Sequence, residues 1–201
     1  MDIVKDSVTR LEEIIHHSGC EDTAVRLDVD PDANTCEYER GASMTATFGG
    51  RTAEFVTDDP IRAMTKISFM FGAPLETQGV RSAACAIINV TTGFFCLSRV
   101  LRSCPAESHA ACLCELAEKL NGHRIFCVGK IPALERARGI DVTTDIHEAD
   151  IILVNNEGII APGTGDLMAA GETTKQFIFL GPSTAGVSRL QQQEYWCPYG
   201  K

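Results

Sequence analysis

The chain has 201 residues, 44% of them hydrophobic and 22% charged, which is the composition of an ordinary soluble globular protein with enough length for a real core. Its net charge is −9 and its 18 Lys and Arg residues form no basic stripe, so binding to a nucleic-acid backbone is not expected. No amino-terminal segment reads as a signal peptide, and no apolar run approaches the ~18 residues that span a bilayer, so a cytoplasmic protein with no membrane partner is expected.

From Met1 to Ser18, apolar residues at Ile3, Val4, Val8, Leu11, Ile14 and Ile15 recur at helical spacing, and Ser18-Gly19 closes the helix. Ala24 to Asp30 alternates as a half-buried strand does, and Pro31 to Asn34 is a turn. A second extended segment is predicted from Cys36 to Phe48, then a hairpin at Gly49-Gly50 and a return strand from Arg51 to Val56. Asp58 and Asp59 offer caps for a helix reaching about Phe71, with Pro60 in its first turn. These elements form a small α+β unit over residues 1–75.

Gly72 to Gly79 is a connector. Val80 to Phe95 is apolar nearly all round, as a buried helix is. Cys104-Pro105 opens a further helix that ends at Asn121-Gly122. Three apolar runs then alternate with helix-like segments: Arg124 to Gly129, Ala149 to Gly158 and Gln176 to Thr184. This is the pattern of a buried parallel sheet whose loops at the strands' carboxyl ends face a ligand. A helix is predicted from Pro132 to about Arg138. The second unit is a Rossmann-like α/β domain over residues 76–201.

Each strand end carries candidate chemistry beside a plainer structural role. Gly129 suits an anion at a helix amino terminus, or simply makes a βα turn; the three-glycine dinucleotide fingerprint is absent. Asn155, Asn156 and Glu157 can hold a ligand or a hard metal ion, or the Asn residues serve the turn while Glu157 is solvated. Thr164 is expected to cap the helix after Pro162. Gly181-Pro182-Ser183-Thr184 is the most specific loop and suits an anion or polar ligand edge. Ser183 is no nucleophile candidate, because Ala185 stands where the nucleophile elbow needs glycine.

Nine cysteines, with no export signal, predict free thiols rather than a disulfide framework. On a helical wheel Cys114 lies ~200° from Cys112, so the two cannot share one ion while helical. His109 and Cys112, three residues apart, can, or they pack as core. In the tail, Tyr195, Trp196 and Tyr199 surround Cys197, which is either a reactive or metal-binding thiol or part of an aromatic clamp.

The segments VGKIPALERAR, EADIILVNNEG and FLGPSTAG, in that order, with PLETQGVRSAACAIINV before them, resemble the heavy-metal chelation domain family, long classed as a domain of unknown function. The likeness runs roughly from Pro74 to Leu190. It implies an amino-terminal unit with an enolase-amino-terminal-like fold, a Rossmann-like domain, and a ligand or metal site in the cleft between them. This chain departs from the family's glycine and threonines at Asn155, Asn156 and Glu157. It also ends soon after Thr184, so a last strand and helix are expected to be missing or replaced by the aromatic tail.

The expected function is binding of a small ligand or heavy metal in that cleft. Asn89, Gly129, Asn156, Gly181, Ser183 and Thr184 would line the ligand site. Glu157 would be a hard metal ligand, and His109, Cys112 and Cys197 soft ones for a transition metal ion. The alternatives are an enzyme acting on a nucleotide-like or tetrapyrrole-like molecule, and a subunit that assembles into a homo-oligomer through its sheet edge and tail.

Overall fold

The computed structural model of the chain describes residues 2–137, 139–170 and 175–201. Helix α1 (Ile3–Ile15) begins where the Asp2 carboxylate accepts hydrogen bonds from the Val4 and Lys5 N–H groups, and it buries the face carrying Ile3, Val4, Val8, Leu11 and Ile15. Strands β1 (Ala24–Asp30), β2 (Ala42–Phe48), β3 (Arg51–Thr57) and β4 (Ala63–Lys66) form an antiparallel sheet in the order β3-β2-β1-β4. The β2–β3 hairpin turns at Gly49 and Gly50, both at positive φ as a tight two-residue turn requires.

Two expectations for this unit are corrected. The helix expected from Asp58 to Phe71 is instead β4 followed by a 3-10 turn, Ile67–Met70. Residues 63–66 pair with the free edge of β1, and their alternating exposure has the strand period of two, so tertiary pairing overrides the caps. The extended segment expected from Cys36 becomes strand only at Ala42. Residues 36–41 leave the sheet and reach across to the second unit.

Helix α2 (Gln78–Phe94) is capped by the Thr77 hydroxyl and is buried along nearly its whole length. It packs on β2 and β3, on α1 and on helices from later in the chain. This arrangement explains why its sequence is apolar all round. After a 3-10 turn comes α3 (His109–Leu120). The chain then alternates β5 (Arg124–Val128), α4 (Pro132–Arg136), β6 (Asp141–Val142), β7 (Ile151–Val154), α5 (Asn156–Ile160), α6 (Thr164–Ala169), β8 (Gln176–Leu180), α7 (Ala185–Leu190) and β9 (Glu194–Trp196). Arg138, where the α4 helix was expected to end, lies outside the described residues, as does Met1.

The second sheet is entirely parallel, in the order β6-β5-β7-β8-β9. This is the doubly wound order in which the chain reverses direction between the first and third strands, here β5 and β7. The aromatic tail supplies the fifth strand, with Leu180 beside Trp196 in register. Thr164 does not cap α6. Gly163 holds that position at φ +95, and the Thr164 hydroxyl donates to the Gly158 carbonyl at 2.5 Å. The fold is therefore α/β, with an antiparallel sheet packed beside a parallel one.

One apolar cluster runs through both sheets, from Val4, Leu11 and Phe55 through Ile87 to Ile152 and Phe179. It crosses residue 75 without a break. A second cluster on the other face of the parallel sheet packs Leu116 and Leu120 of α3 on Ile125, Leu153, Ile178 and Leu180. Each fully buried aliphatic side chain contributes about 1.5–3 kcal/mol, so the two clusters dominate stability. Among the described residues no helix is long and apolar enough to cross a membrane.

Candidate functional site

In open parallel sheets the ligand crevice lies outside the carboxyl ends of the two strands flanking the reversal. Here those ends are Gly129 after β5 and Asn155-Asn156-Glu157 after β7. Gly129 stands at φ +93, and a Cβ there would collide with the Asn155 side chain. Asn155 is wholly buried. Its Oδ1 accepts from the Gly158 N–H and so caps α5, while its Nδ2 donates to the Lys130 carbonyl at 2.7 Å and the Tyr38 carbonyl at 2.9 Å. The innermost part of the crevice is thus filled by protein.

The segment that fills it is the crossing loop. Asn156 Nδ2 donates to the Arg40 and Val56 carbonyls at 2.9 and 2.8 Å. The Ser183 hydroxyl accepts from the Val56 N–H at 2.9 Å. Asn89 Nδ2 donates to the carbonyls of Glu54, Pro182 and Ser183, and its Oδ1 accepts from the Gly186 N–H. The Thr184 hydroxyl donates to the carbonyls of Leu180 and Gly181. These four side chains have no solvent exposure, and each is engaged by the chain itself.

At Gly181, the position read as anion-binding, an added Cβ would meet the Glu39 carboxyl. Glu39 Oε1 accepts from the Ser183 N–H, so the loop's anion site holds a carboxyl group of the same chain. Burial, with repulsion from Glu54 second, raises the Glu39 pKa to about 8. Burial also raises that of Glu54, against hydrogen bonds from the Ser103 N–H and hydroxyl.

Beside this filled crevice lies an open cleft of about 470 Å³. Arg40 comes from the crossing loop, Asp58 from the end of β3, Glu76 from the approach to α2, and Lys130 and Glu157 from the ends of β5 and β7. Arg81 forms part of the wall but is already matched. Its guanidinium pairs with Asp2 at 2.5 Å and donates to the Ile160 carbonyl at 2.7 Å. Burial pushes the Asp2 carboxyl up, but the Arg81 guanidinium and the helix N–H groups outweigh it and hold the carboxyl low. A smaller cavity of about 270 Å³ adjoins at Arg81, Ala161 and Pro162. Glu157 Oε2 accepts from the Lys130 N–H at 3.0 Å.

Of the expected site residues, only Glu157 lines the open cleft. Gly129 lies immediately before Lys130. Asn89, Asn156, Gly181, Ser183 and Thr184 lie together behind the cleft, where they hold the crossing loop, β3 and α7. The four expected metal ligands do not converge on one point, and among the described residues no group of three or more His, Cys, Asp or Glu side chains is placed to hold a metal ion. His109 starts α3 with its Nε2 buried and without a hydrogen bond among the described residues. Cys112 is buried, and its sulfur accepts from the Tyr38 hydroxyl at 3.2 Å. Cys36, Cys104, Cys112 and Cys197, from four separate segments, are all buried, and burial, with repulsion from nearby acidic groups second, raises each thiol, Cys197 to about 12.

Sequence reasoning missed Arg40, Asp58, Glu76 and Lys130. Lys130 had a signal, since it follows the glycine of a strand-to-helix turn. Arg40, Asp58 and Glu76 had none, because they reach the cleft from three separate stretches of chain that only tertiary packing brings together.

No protein-family model matches the chain, and no curated protein does. Among solved structures, the chain is similar to a DUF364-family protein of unknown function from Pyrococcus horikoshii, at 12% identity and a TM-score of 0.50, over 90% of this chain and 79% of that one. A DUF364-family protein of unknown function from Desulfitobacterium hafniense aligns at 14% identity and a TM-score of 0.49, over 92% of this chain and 82% of that one. At such identity the Pyrococcus likeness shows the fold alone, and what it supports is a domain of unknown function.

Proposed function

We propose that the protein binds a small polar molecule in the cleft beside the carboxyl ends of β5 and β7, with both units contributing side chains. The observation that carries this reading is the cleft's position beside the strand reversal, where doubly wound sheets take their ligands. Its volume also falls within the range of small-molecule sites. Binding is favoured over nucleophilic catalysis, because the described residues that line the cleft include no Ser, Thr, Cys or His. Thermal-shift screening of charged metabolites against the wild type and Lys130→Glu tests it. A saturable stabilisation that Lys130→Glu abolishes is expected. Compounds that stabilise both proteins equally, or none that stabilise either, would overturn the reading.

The buried thiols motivate a second reading, retention of a soft transition metal ion by Cys112 and Cys197 with Cys36 and Cys104. Thiolates select such ions. The thiols would have to rotate and lose their protons, since among the described residues no three donors already converge. Anaerobic titration of the reduced protein with Cd(II), followed by thiolate-to-metal charge-transfer absorbance, should then show a stoichiometric site that Cys112→Ser and Cys197→Ser each weaken. A titration with no such absorbance removes the reading.

A further inference from the structure

The cleft carries both signs of charge in an unusual arrangement. Arg40 and Lys130 make no ion pair among the described residues, and neither do Asp58 and Glu76. The two cations are mounted on one turn. The Arg40 carbonyl accepts from Asn156 Nδ2 at 2.9 Å, the Lys130 carbonyl accepts from Asn155 Nδ2 at 2.7 Å, and the Lys130 N–H donates to Glu157 at 3.0 Å. Asn155-Asn156-Glu157 thus fixes the main chain beneath both positive side chains. Asp58 stands against the same loop from the other side. Gly41, at φ +119, lets the residue after Arg40 pack directly on the Thr57–Asp58 peptide, where any Cβ would collide. Opposite charges therefore stand in neighbouring segments with no ion pair joining them among the described residues.

A purely anionic ligand in this space would face Asp58, Glu76 and Glu157, and a purely cationic one would face Arg40 and Lys130. A ligand carrying both signs meets neither penalty. Resting on the cleft reading above, we infer that the ligand is a small zwitterion. Its oxyanion group lies against Arg40 and Lys130, and its ammonium group faces Asp58 and Glu76. Asn155 and Asn156 act as positioning residues for the two cations.

Isothermal titration calorimetry with O-phosphoethanolamine and γ-aminobutyrate tests this, with inorganic phosphate, butyrate and ethanolamine as single-charge controls. At least one zwitterion is expected to bind about tenfold or more tightly than every control, a difference of about 1.4 kcal/mol. Lys130→Ala and Arg40→Ala should weaken that zwitterion by about tenfold each. The Asp58→Asn/Glu76→Gln double variant should weaken the zwitterion yet tighten inorganic phosphate. That opposite response is one a merely structural role would not produce. If a single-charge control binds as tightly as both zwitterions and is lost in Lys130→Ala, the zwitterion is wrong and the cleft reading stands. If no probe binds, the zwitterion inference fails, and the screen with Lys130→Glu decides the cleft reading separately.

Discussion

Glu39 reaches from the crossing loop to the Ser183 N–H, which it meets through Oε1 at 3.0 Å, while its other oxygen, Oε2, is buried with no hydrogen bond among the described residues. Burial and the neighbouring Glu54 favour the neutral acid, with a pKa of about 8 against the ordinary 4.5. The folded protein therefore holds a proton between those two values that the unfolded chain has released. The stability this contributes is complete below about pH 4.5, and is lost as pH rises through about 8, at a slope of up to about 1.4 kcal/mol per pH unit. Glu39→Gln keeps the acceptor for Ser183 and cannot ionise. Urea unfolding at pH 5 and pH 8 should show the variant gaining on the wild type at the higher pH. An equal difference at both values would rule out a buried neutral Glu39.

Asn89 ties α2 to β3, to the loop after β8 and to α7, using both ends of its amide with no solvent exposure. Asn89→Ala would strand the Glu54 and Ser183 carbonyls and the Gly186 N–H in the interior. Removing one partner from buried hydrogen-bonded groups costs about 1–3 kcal/mol per stranded group, less where water enters. A loss of about 3 kcal/mol or more in chemical denaturation is expected. Asn89→Asp should also destabilise, since a carboxylate supplies no donor for the carbonyls and would be a buried charge. Near-neutral behaviour of Asn89→Ala would remove Asn89 from its role as interface pin.

The parallel sheet was legible because buried strands are local events: Ile151 to Val154 and Gln176 to Leu180 are short apolar runs bounded by turn residues. The same was true of α2, whose uniform burial is written in its composition. Strand β4 was not legible, because Asp58, Asp59 and Pro60 imitate a helix start and only pairing with β1 settles the matter. The strand-end polar residues stand out in the sequence as unusual. The Asn156 amide and the Ser183 hydroxyl, however, bond peptide groups of Arg40 and Val56, a hundred or more positions away. Polar residues that grip a ligand and polar residues that grip a distant loop have the same sequence signature, and only the packing of the loop separates them.

The thiols divide by environment. Cys96 and Cys114 are exposed, whereas Cys36, Cys85, Cys104, Cys112 and Cys197 are buried. Burial raises the latter, Cys85 and Cys197 to about 12, and so suppresses the reactive thiolate. A disulfide-exchange reagent at pH 8 should label Cys96 and Cys114 in the fast phase, with Cys20 and Cys127, which are half-buried, following. The five buried thiols should react only on the timescale of unfolding, or at once in denaturant. Fast native labelling of Cys112 or Cys197, identified by peptide mass, would show that the buried cluster opens and would strengthen the metal reading.

Gly158 connects the fold to the cleft. It sits in α5 with ordinary helical geometry, so alanine there carries no backbone penalty, yet its Cβ would collide with the Val128 carbonyl at the end of β5. The two nearest ways to relieve that contact are to push α5 outward or to bend the end of β5. The first moves Glu157 and the second moves Lys130, so either disturbs the bond between the Lys130 N–H and Glu157. Overpacking of this kind costs about 1–3 kcal/mol. Gly158→Ala should therefore lose about that much stability and, in the same protein, reduce affinity for whatever cleft ligand the thermal-shift screen identifies. Gly163→Ala is the control. It also carries strain, from φ +95, but its Cβ would meet open space and it lies outside the β5–α5 contact. It should lose stability by a comparable amount with ligand affinity intact. Equal losses of affinity in the two variants would detach the cleft from the β5–α5 contact.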